Sequence, residues 1–131
     1  MKKRIIAFFA AILIALPMVT ATASAAEIQP RWSLINSMNA WCSMEGNAYI
    51  GSVTASNTVY KMDISIVLYE KGLFTGYKEV SRISKTVYDF SHTASSAYTY
   101  SSTKDYKVEI TVKAYTSSGQ TETVTVYNEY T

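Results

Sequence analysis

The chain contains one histidine and one cysteine, and the histidine has none of the neighbours that catalysis or metal binding would require. His92 lies between Ser91 and Thr93 in a polar segment that we expect to be a surface loop. A metal site usually needs three or four ligands, and no Asp, Glu or Cys stands near His92 in such a spacing. The Gly-x-Ser-x-Gly turn that aims a serine nucleophile is also missing. We therefore predict no catalytic residue, no metal site and no cofactor.

The carboxylates are mostly single and stand beside polar or basic residues. Glycoside hydrolysis needs two carboxyl groups at a fixed separation across the scissile bond. We interpret Asp63, Glu109 and Glu122 as solvent-facing residues of their strands. A small hydrolase is therefore the weakest of the functions considered for this chain.

Cys42 is the only thiol, so it cannot form a disulfide within the chain. An odd cysteine in an exported protein can be a buried apolar residue, half of an intermolecular disulfide or a reactive thiol. Met38, Ala40 and Met44 share its alternation phase and are apolar. We predict that Cys42 faces inward, reacts slowly and has a structural role in a monomer.

Aromatic side chains are the remaining lead, because the chain holds 11 tyrosines and two tryptophans. Tyr and Trp give rigid contact area with one polar group, which suits protein interfaces and sugar stacking. Cross-strand pairing uses the same residues. We assign that structural use to Tyr60, Tyr69, Tyr88 and Tyr115. Trp32 and the preceding Arg31 are candidate ligand contacts, although Trp32 could instead cover one end of the domain.

Alternation of apolar and polar residues indicates the strands that must position these side chains. It is clearest over residues 62–68 and 106–114, and a short loop over 117–120 predicts a β-hairpin to the run that begins at Thr121. Weaker patterns predict strands from about Leu34, over 49–53, over 77–87 at a sheet edge and over 95–101. The loop between the third and fourth strands is expected at 70–76. Seven such strands predict an all-β, antiparallel sandwich of the immunoglobulin or fibronectin type III kind.

The first residues follow the three-part pattern of a secretory signal peptide. Lys2, Lys3 and Arg4 precede an apolar run over 5–16, and small residues follow at 23–26. This run is shorter than the roughly 20 residues of a membrane-spanning helix. We predict cleavage after Ala25 or Ala26, which gives a signal peptide over 1–25 and a secreted β-sandwich domain over 26–131 with no stable membrane anchor.

Loss of the leader changes the charge of the working protein. The whole chain has a formal charge of +2, whereas from Glu27 onward nine Lys or Arg stand against ten Asp or Glu. The remaining basic residues are scattered singly. Nucleic acid is therefore not a predicted partner.

The run from Asp105 to Ala114 resembles strand F of fibronectin type III domains, in which a tyrosine begins the strand and apolar residues follow at every second position. The hydroxyl of that tyrosine bonds back to the chain a few residues upstream. The resemblance implies this structural role for Tyr106. Tyr130 lies outside any clean strand, so we expect it at the surface. The immunoglobulin pattern of Cys, Trp and Cys is absent.

Most of residues 27–131 is similar to a group of small exported proteins of Gram-positive bacteria. The likeness includes the start over 27–32, Gly-Ser-Val-Thr at 51–54, the strand over 64–69 and Glu-Thr-Val-Thr at 122–125. It implies fold and export, but no functional residue. The sequence thus predicts a secreted, non-enzymatic sandwich that binds an unidentified protein or surface glycan. The alternative is a membrane-active or toxin-like secreted β-protein.

Overall fold

The computed structural model describes residues 5–7, 12–13 and 32–131. These residues form nine strands, which are β1 (Ile5–Ala7), β2 (Ile12–Leu13), β3 (Ile35–Ser43), β4 (Ala48–Ala55), β5 (Val59–Lys71), β6 (Lys78–Val87), β7 (Ser91–Ala97), β8 (Asp105–Thr116) and β9 (Thr121–Tyr130). The predicted cleavage site at 23–26 lies outside the described residues. Within those residues there is no helix with the length and apolar character needed to span a membrane.

Strands β3 to β9 form two antiparallel sheets. One has three strands in the order β3-β4-β7, and the other has four in the order β9-β8-β5-β6. β1 and β2 pair with β9 and extend the second sheet at that edge. The all-β, antiparallel architecture predicted from the alternation is therefore confirmed.

The core consists of the inward-facing side chains of both sheets. Alternate residues of β5 and β8 have almost no exposed surface, because successive side chains of a strand point to opposite faces. Burial of one such side chain contributes about 1.5–3 kcal/mol. The fully buried side chains of these two strands include Met62, Ile66, Leu68, Tyr106, Val108, Ile110 and Val112.

Gly51 lets the two sheets approach closely at the middle of β4. A Cβ at this position would lie 2.5 Å from Ile66 Cδ1 and 3.1 Å from Ile110 Cδ1. A side chain here would have to displace Ile66 or separate the sheets, and close-packed cores resist both. On the same face of β4, Tyr49 is fully buried, and its hydroxyl lies 2.6 Å from Ser81 Oγ of β6.

The sequence assignment of β7 is wrong in two respects. The strand lies over Ser91–Ala97 instead of 95–101, which leaves Tyr98 and Tyr100 in the loop that follows. His92 is consequently a strand residue and not a loop residue, and its Nε2 is buried without a hydrogen-bond partner among the described residues. The strand is built mainly from Ser, Thr and Ala, so its alternation has little contrast in hydropathy.

Glu122 was predicted to face solvent, and the structure buries it. The residue is 4% exposed. Its carboxylate accepts hydrogen bonds from Ser33 N–H at 2.7 Å, Ser33 Oγ–H at 3.0 Å, Leu34 N–H at 2.8 Å and Ile35 N–H at 2.9 Å. Four donors replace the water that the charged group loses, and hydrogen bonds to ionised groups are about twice as strong as neutral ones.

Asn128 makes a second bridge between the same two strands. Its Nδ2 donates to Ala40 O and, at 3.2 Å, to Asn39 Oδ1. The beginnings of β3 and β9 meet at Glu122, and their later parts meet at Asn128. The two strands therefore run in the same direction along one side of the sandwich, and side chains of β9 join the edges of the two sheets.

Tyr106 is fully buried at the start of β8. Its hydroxyl accepts the N–H of Ser101, five residues upstream, at 2.8 Å and donates to Glu70 Oε2 at 2.9 Å. Glu70 was predicted to begin a loop, but β5 continues through Lys71 and keeps Glu70 in the inward phase. Tyr130 was predicted at the surface, and it is 5% exposed and pairs with Tyr106 across β8 and β9.

Removal of the Glu122 carboxylate should be one of the most destabilising changes to a polar residue. Glu122→Ala leaves the N–H groups of residues 33–35 without their acceptor, and we expect a loss of about 3 kcal/mol or more in the free energy of unfolding. Glu122→Gln keeps one acceptor oxygen and should cost about 1–2 kcal/mol. Urea denaturation measures both. Glu45→Gln, in an exposed turn, should stay within about 0.5 kcal/mol of the parent. A midpoint for Glu122→Ala as high as that of the control would contradict the role of the carboxylate.

The Tyr106 hydroxyl should contribute to stability through its two hydrogen bonds. Tyr106→Phe leaves Ser101 N–H unpaired, with an expected loss of about 1–3 kcal/mol. Tyr106→Ala also opens a cavity and should cost about 3–5 kcal/mol. Tyr88→Phe is the matched control, because Tyr88 is 74% exposed. Equal urea midpoints for the two Tyr→Phe variants would show that the Tyr106 hydroxyl has no such role.

Candidate functional site

Of the residues singled out from the sequence, the structure brings two near each other, because Tyr100 contacts both Cys42 and Tyr106. Arg31 lies outside the described residues. Trp32 is half-buried and packs against the core next to the beginning of β3, and its indole Nε1 is buried with no hydrogen-bond partner among the described residues. In this position most of its surface is unavailable to a ligand.

Cys42 is buried on the inner face of β3. Burial raises the pKa of its thiol to about 12, although a hydrogen bond with Tyr100 lowers it in part. The thiol is therefore protonated at neutral pH, and the thiolate is the form that attacks electrophiles or binds metals. Within residues 32–131, no group of three or more His, Cys, Asp or Glu could share a metal ion.

The outer face of the four-stranded sheet gathers tyrosine and lysine side chains from several strands. Even-numbered residues of β5, β8 and β9 fill the core, so odd-numbered residues project from the opposite side. Tyr77, just before β6, joins them at one end. We call this surface the tyrosine–lysine face, and its members are Lys61, Tyr69, Lys71, Tyr77, Lys107, Lys113, Tyr115 and Tyr127.

Lys107 organises one half of the tyrosine–lysine face. Its Nζ lies 4.8 Å from the centroid of the Tyr69 ring, 5.0 Å from that of Tyr77 and 5.5 Å from that of Tyr127. Each exposed cation–π contact is worth about 0.5–1 kcal/mol. The amine thus holds three rings, from β5, β9 and the β5–β6 loop, around one point.

Tyr115 organises the other half. The Nζ atoms of Lys61 and Lys113 lie 4.6 Å and 5.2 Å from the centroid of its ring. Its hydroxyl donates to Asp63 Oδ2 at 2.6 Å, and Thr86 Oγ1 donates to Asp63 Oδ1 at 2.7 Å. These bonds lower the pKa of Asp63, with Tyr115 as the largest cause, and the bond to Asp63 raises the pKa of Tyr115. At neutral pH Asp63 is charged and Tyr115 is a neutral donor.

A shallow groove of about 420 Å³ lies beside Asp63 and crosses β5, β6 and β8. Four of its eight lining residues carry hydroxyl groups and it also holds a carboxylate and two amines, while most of its exposed surface belongs to carbon atoms. Such groups can donate and accept hydrogen bonds with the hydroxyls of a sugar. The polar residues that line it are Asp63, Ser65, Ser84, Lys85, Thr86, Thr111 and Lys113.

The tyrosines of the face stay protonated at neutral pH. Burial raises the pKa of Tyr77 to about 12. Burial also raises the pKa of Tyr69, whose hydroxyl donates to Glu109 Oε1 at 3.1 Å, and the pKa of Tyr127. These groups therefore supply ring surface and hydrogen-bond donors, and they supply no nucleophile. The arrangement is suited to binding.

A second aromatic cluster surrounds Glu70 at one end of the sandwich. The rings of Tyr98, Tyr100 and Tyr106 meet edge to face, with centroids 4.8–6.0 Å apart. Glu70 accepts hydrogen bonds from Tyr106 and Tyr98 and from Lys104 at 3.4 Å. Burial alone would raise the pKa of Glu70, but these three donors outweigh it and lower the pKa. The cluster anchors the loop that precedes β8, because the hydroxyls of Tyr98 and Tyr106 donate to Glu70 and the hydroxyl of Tyr100 donates to Ala48 O.

No protein-family model, no curated protein and no solved structure matches this chain. The candidate site must therefore be chosen on geometry, and the tyrosine–lysine face is the surface that groups polar aromatic side chains. The sequence predicted Tyr69 and Tyr115 as separate cross-strand residues and did not predict the tyrosine–lysine face. Both tyrosines stand at odd-numbered positions of their strands, as do Lys61, Lys107 and Lys113, and this shared alternation could have predicted that they lie on one face.

The hydrogen bond from the Tyr115 hydroxyl should be the main reason that the pKa of Asp63 is lowered. Its pKa lies below the ordinary value of 3.8 in the folded protein, so its contribution to stability is present above that value and is lost as the pH falls through the folded pKa. Tyr115→Phe removes the strongest donor and should raise the pKa toward 3.8. NMR titration of the Asp63 carboxyl carbon measures this. Tyr69→Phe, which removes a hydroxyl bonded to Glu109, should leave the Asp63 midpoint unchanged. The prediction is wrong if Tyr115→Phe also leaves it unchanged.

Proposed function

We propose that this chain is an exported, non-enzymatic β-sandwich of the fibronectin type III kind that binds a surface glycan through the tyrosine–lysine face. The observation that carries the proposal is the grouping of four tyrosine rings with four lysine amines on one solvent-facing sheet surface. The leader pattern at 1–25 supports export.

Strand order supports the fibronectin type III assignment. If β3 to β9 are labelled A to G in chain order, one sheet is A-B-E and the other is G-F-C-D. An immunoglobulin constant domain places its fourth strand in the sheet of A, B and E. Here β6 pairs with β5 in the other sheet, which resembles the arrangement of fibronectin type III domains. The hydrogen bond from Ser101 N–H to the Tyr106 hydroxyl supports the same assignment.

The charges of the face favour a sugar polymer over a polyanion. Asp63 and Glu109 stand among the lysines, and each accepts a hydrogen bond from a tyrosine hydroxyl. Both signs of charge are therefore present on one surface. Sugar rings stack on aromatic side chains, while their hydroxyls can bond to carboxylates, amines and hydroxyls alike.

A chain that begins at Glu27 contains the whole described core, which extends from Leu34 to Tyr130. This chain can therefore be purified and tested for retention by protease-treated cell-wall glycans, in sedimentation and affinity-gel assays. Tyr69→Ala combined with Tyr115→Ala removes one ring from each half of the face. We expect this pair to weaken binding at least tenfold, which corresponds to about 1.4 kcal/mol.

Tyr88→Ala is the control, because Tyr88 is exposed in the β6–β7 turn and has no part in the cation–π contacts of the face. It should bind as the parent does. No retention of the parent by any glycan preparation would overturn the sugar ligand. Retention that the double variant matches would overturn the site. Capture of a purified surface protein in place of a glycan would move the proposal to a protein partner.

The second candidate function, attack on membranes, is favoured by one observation. Leu73 and Phe74 are almost fully exposed at the tip of the β5–β6 loop. Release of a trapped dye from vesicles distinguishes the two functions, because a glycan-binding module leaves vesicles intact.

A further inference from the structure

The loop between β5 and β6 presents two adjacent large apolar side chains to solvent. Leu73 is 84% exposed and Phe74 is 96% exposed, and neither belongs to the core. Gly72 N–H donates to Thr75 Oγ1 at 3.1 Å, so the turn is closed by its own hydrogen bond. Two apolar side chains placed this way do not stabilise the sandwich, and exposed apolar surface of this kind marks a contact site.

Two lysines flank this tip, with Lys71 at the end of β5 and Lys78 at the start of β6. No carboxylate lies between them in the chain. Lys71 Nζ lies 5.2 Å from the centroid of the Tyr77 ring, which stands between the tip and Lys78. The loop therefore has an apolar tip, an aromatic ring behind it and two amines.

The nearest carboxylates along the chain are already engaged. Glu70 accepts hydrogen bonds from Tyr98, Tyr106 and Lys104. Glu79 forms an ion pair with Arg82 at 2.9 Å. In the strand register Lys71 lies opposite Asp105 and Lys78 lies opposite Glu70, but neither lysine forms an ion pair with a carboxylate among the described residues. Their amines can therefore contact an external anion.

This order of groups fits the depth profile of a bilayer surface. Apolar side chains enter the boundary of the acyl chains, tyrosine rings stay at the level of the headgroups, and lysine amines reach the phosphates. A pocket in a protein partner would impose no such order. We propose that the loop over 71–78 docks reversibly on an anionic lipid surface, with Leu73 and Phe74 inserted.

This docking goes beyond glycan binding and adjoins it, because Lys71 and Tyr77 also belong to the tyrosine–lysine face. Two inserted side chains and two lysines give weak binding, on the order of the 10⁴ M⁻¹ of a single acyl chain. Each lysine near an anionic surface adds about fivefold. The domain would thus exchange between the surface and solution.

Vesicle sedimentation with the chain over 27–131 tests this inference, with phosphatidylglycerol–phosphatidylethanolamine vesicles compared with phosphatidylcholine. We expect the parent to prefer the anionic vesicles. Leu73→Ser with Phe74→Ser should lower the partition coefficient about 100-fold. Lys71→Gln with Lys78→Gln should remove most of the preference for anionic lipid. Tyr88→Ser, which changes an exposed aromatic residue in another turn, should bind as the parent does.

A second measurement reports depth. Phe74→Trp should shift its fluorescence to the blue on addition of anionic vesicles and be quenched by lipids brominated on the acyl chain, whereas Tyr88→Trp should show neither effect. A parent that stays in the supernatant at every lipid concentration overturns the inference. So does a Leu73→Ser/Phe74→Ser variant that sediments like the parent, or sedimentation that requires a membrane protein in the vesicles. The assay contains no glycan, so its failure leaves the proposed glycan binding standing.

Discussion

The buried carboxylate of Glu122, near the start of β9, links the two sheets along one side. Glu122 binds three consecutive backbone N–H groups at the point where the chain enters the sandwich. The chain has a single cysteine and so no internal disulfide to do this. These bonds hold the segment that begins β3 against the start of β9. Asn128 makes a second polar link between the same strands, and the buried side chains of Val124 and Val126 lie between the two links along β9.

The strands with strong hydropathy contrast could be predicted from the sequence, and those without it could not. β5 and β8 alternate between β-branched or aliphatic residues and polar ones, so both were located and their buried faces identified. β7 has Ser and Thr on both faces, and its bounds were misplaced by four residues at the start. Glu70 was placed in a loop because two glycines follow it, at 72 and 76, and Glu122 was placed on the solvent side. Their even-numbered phase, shared with Leu68 and Val124, indicated burial correctly.

The candidate site was harder to predict because it is assembled across strands. The contacts of Lys107 with Tyr69, Tyr77 and Tyr127 can be predicted only when the registers of β5, β8 and β9 are known. Alternation gives the face on which each side chain lies, but it does not give its neighbours. Tyr77 lies just before β6, so strand alternation could not assign its side chain to a face of the sheet. The Tyr106 bond to Ser101 is different, because the resemblance of residues 105–114 to strand F of fibronectin type III domains implied it.

The shared direction of β3 and β9 has a mechanical consequence. Within residues 32–131 the chain enters the sandwich at one end, at Ser33, and leaves it at the other, at Tyr130. A force that pulled these two points apart would therefore act along both strands and would slide them past each other in shear. The Glu122 and Asn128 bridges lie across that direction and would be loaded together. Separation of β3 from β9 in this direction would break the hydrogen bonds of both bridges together.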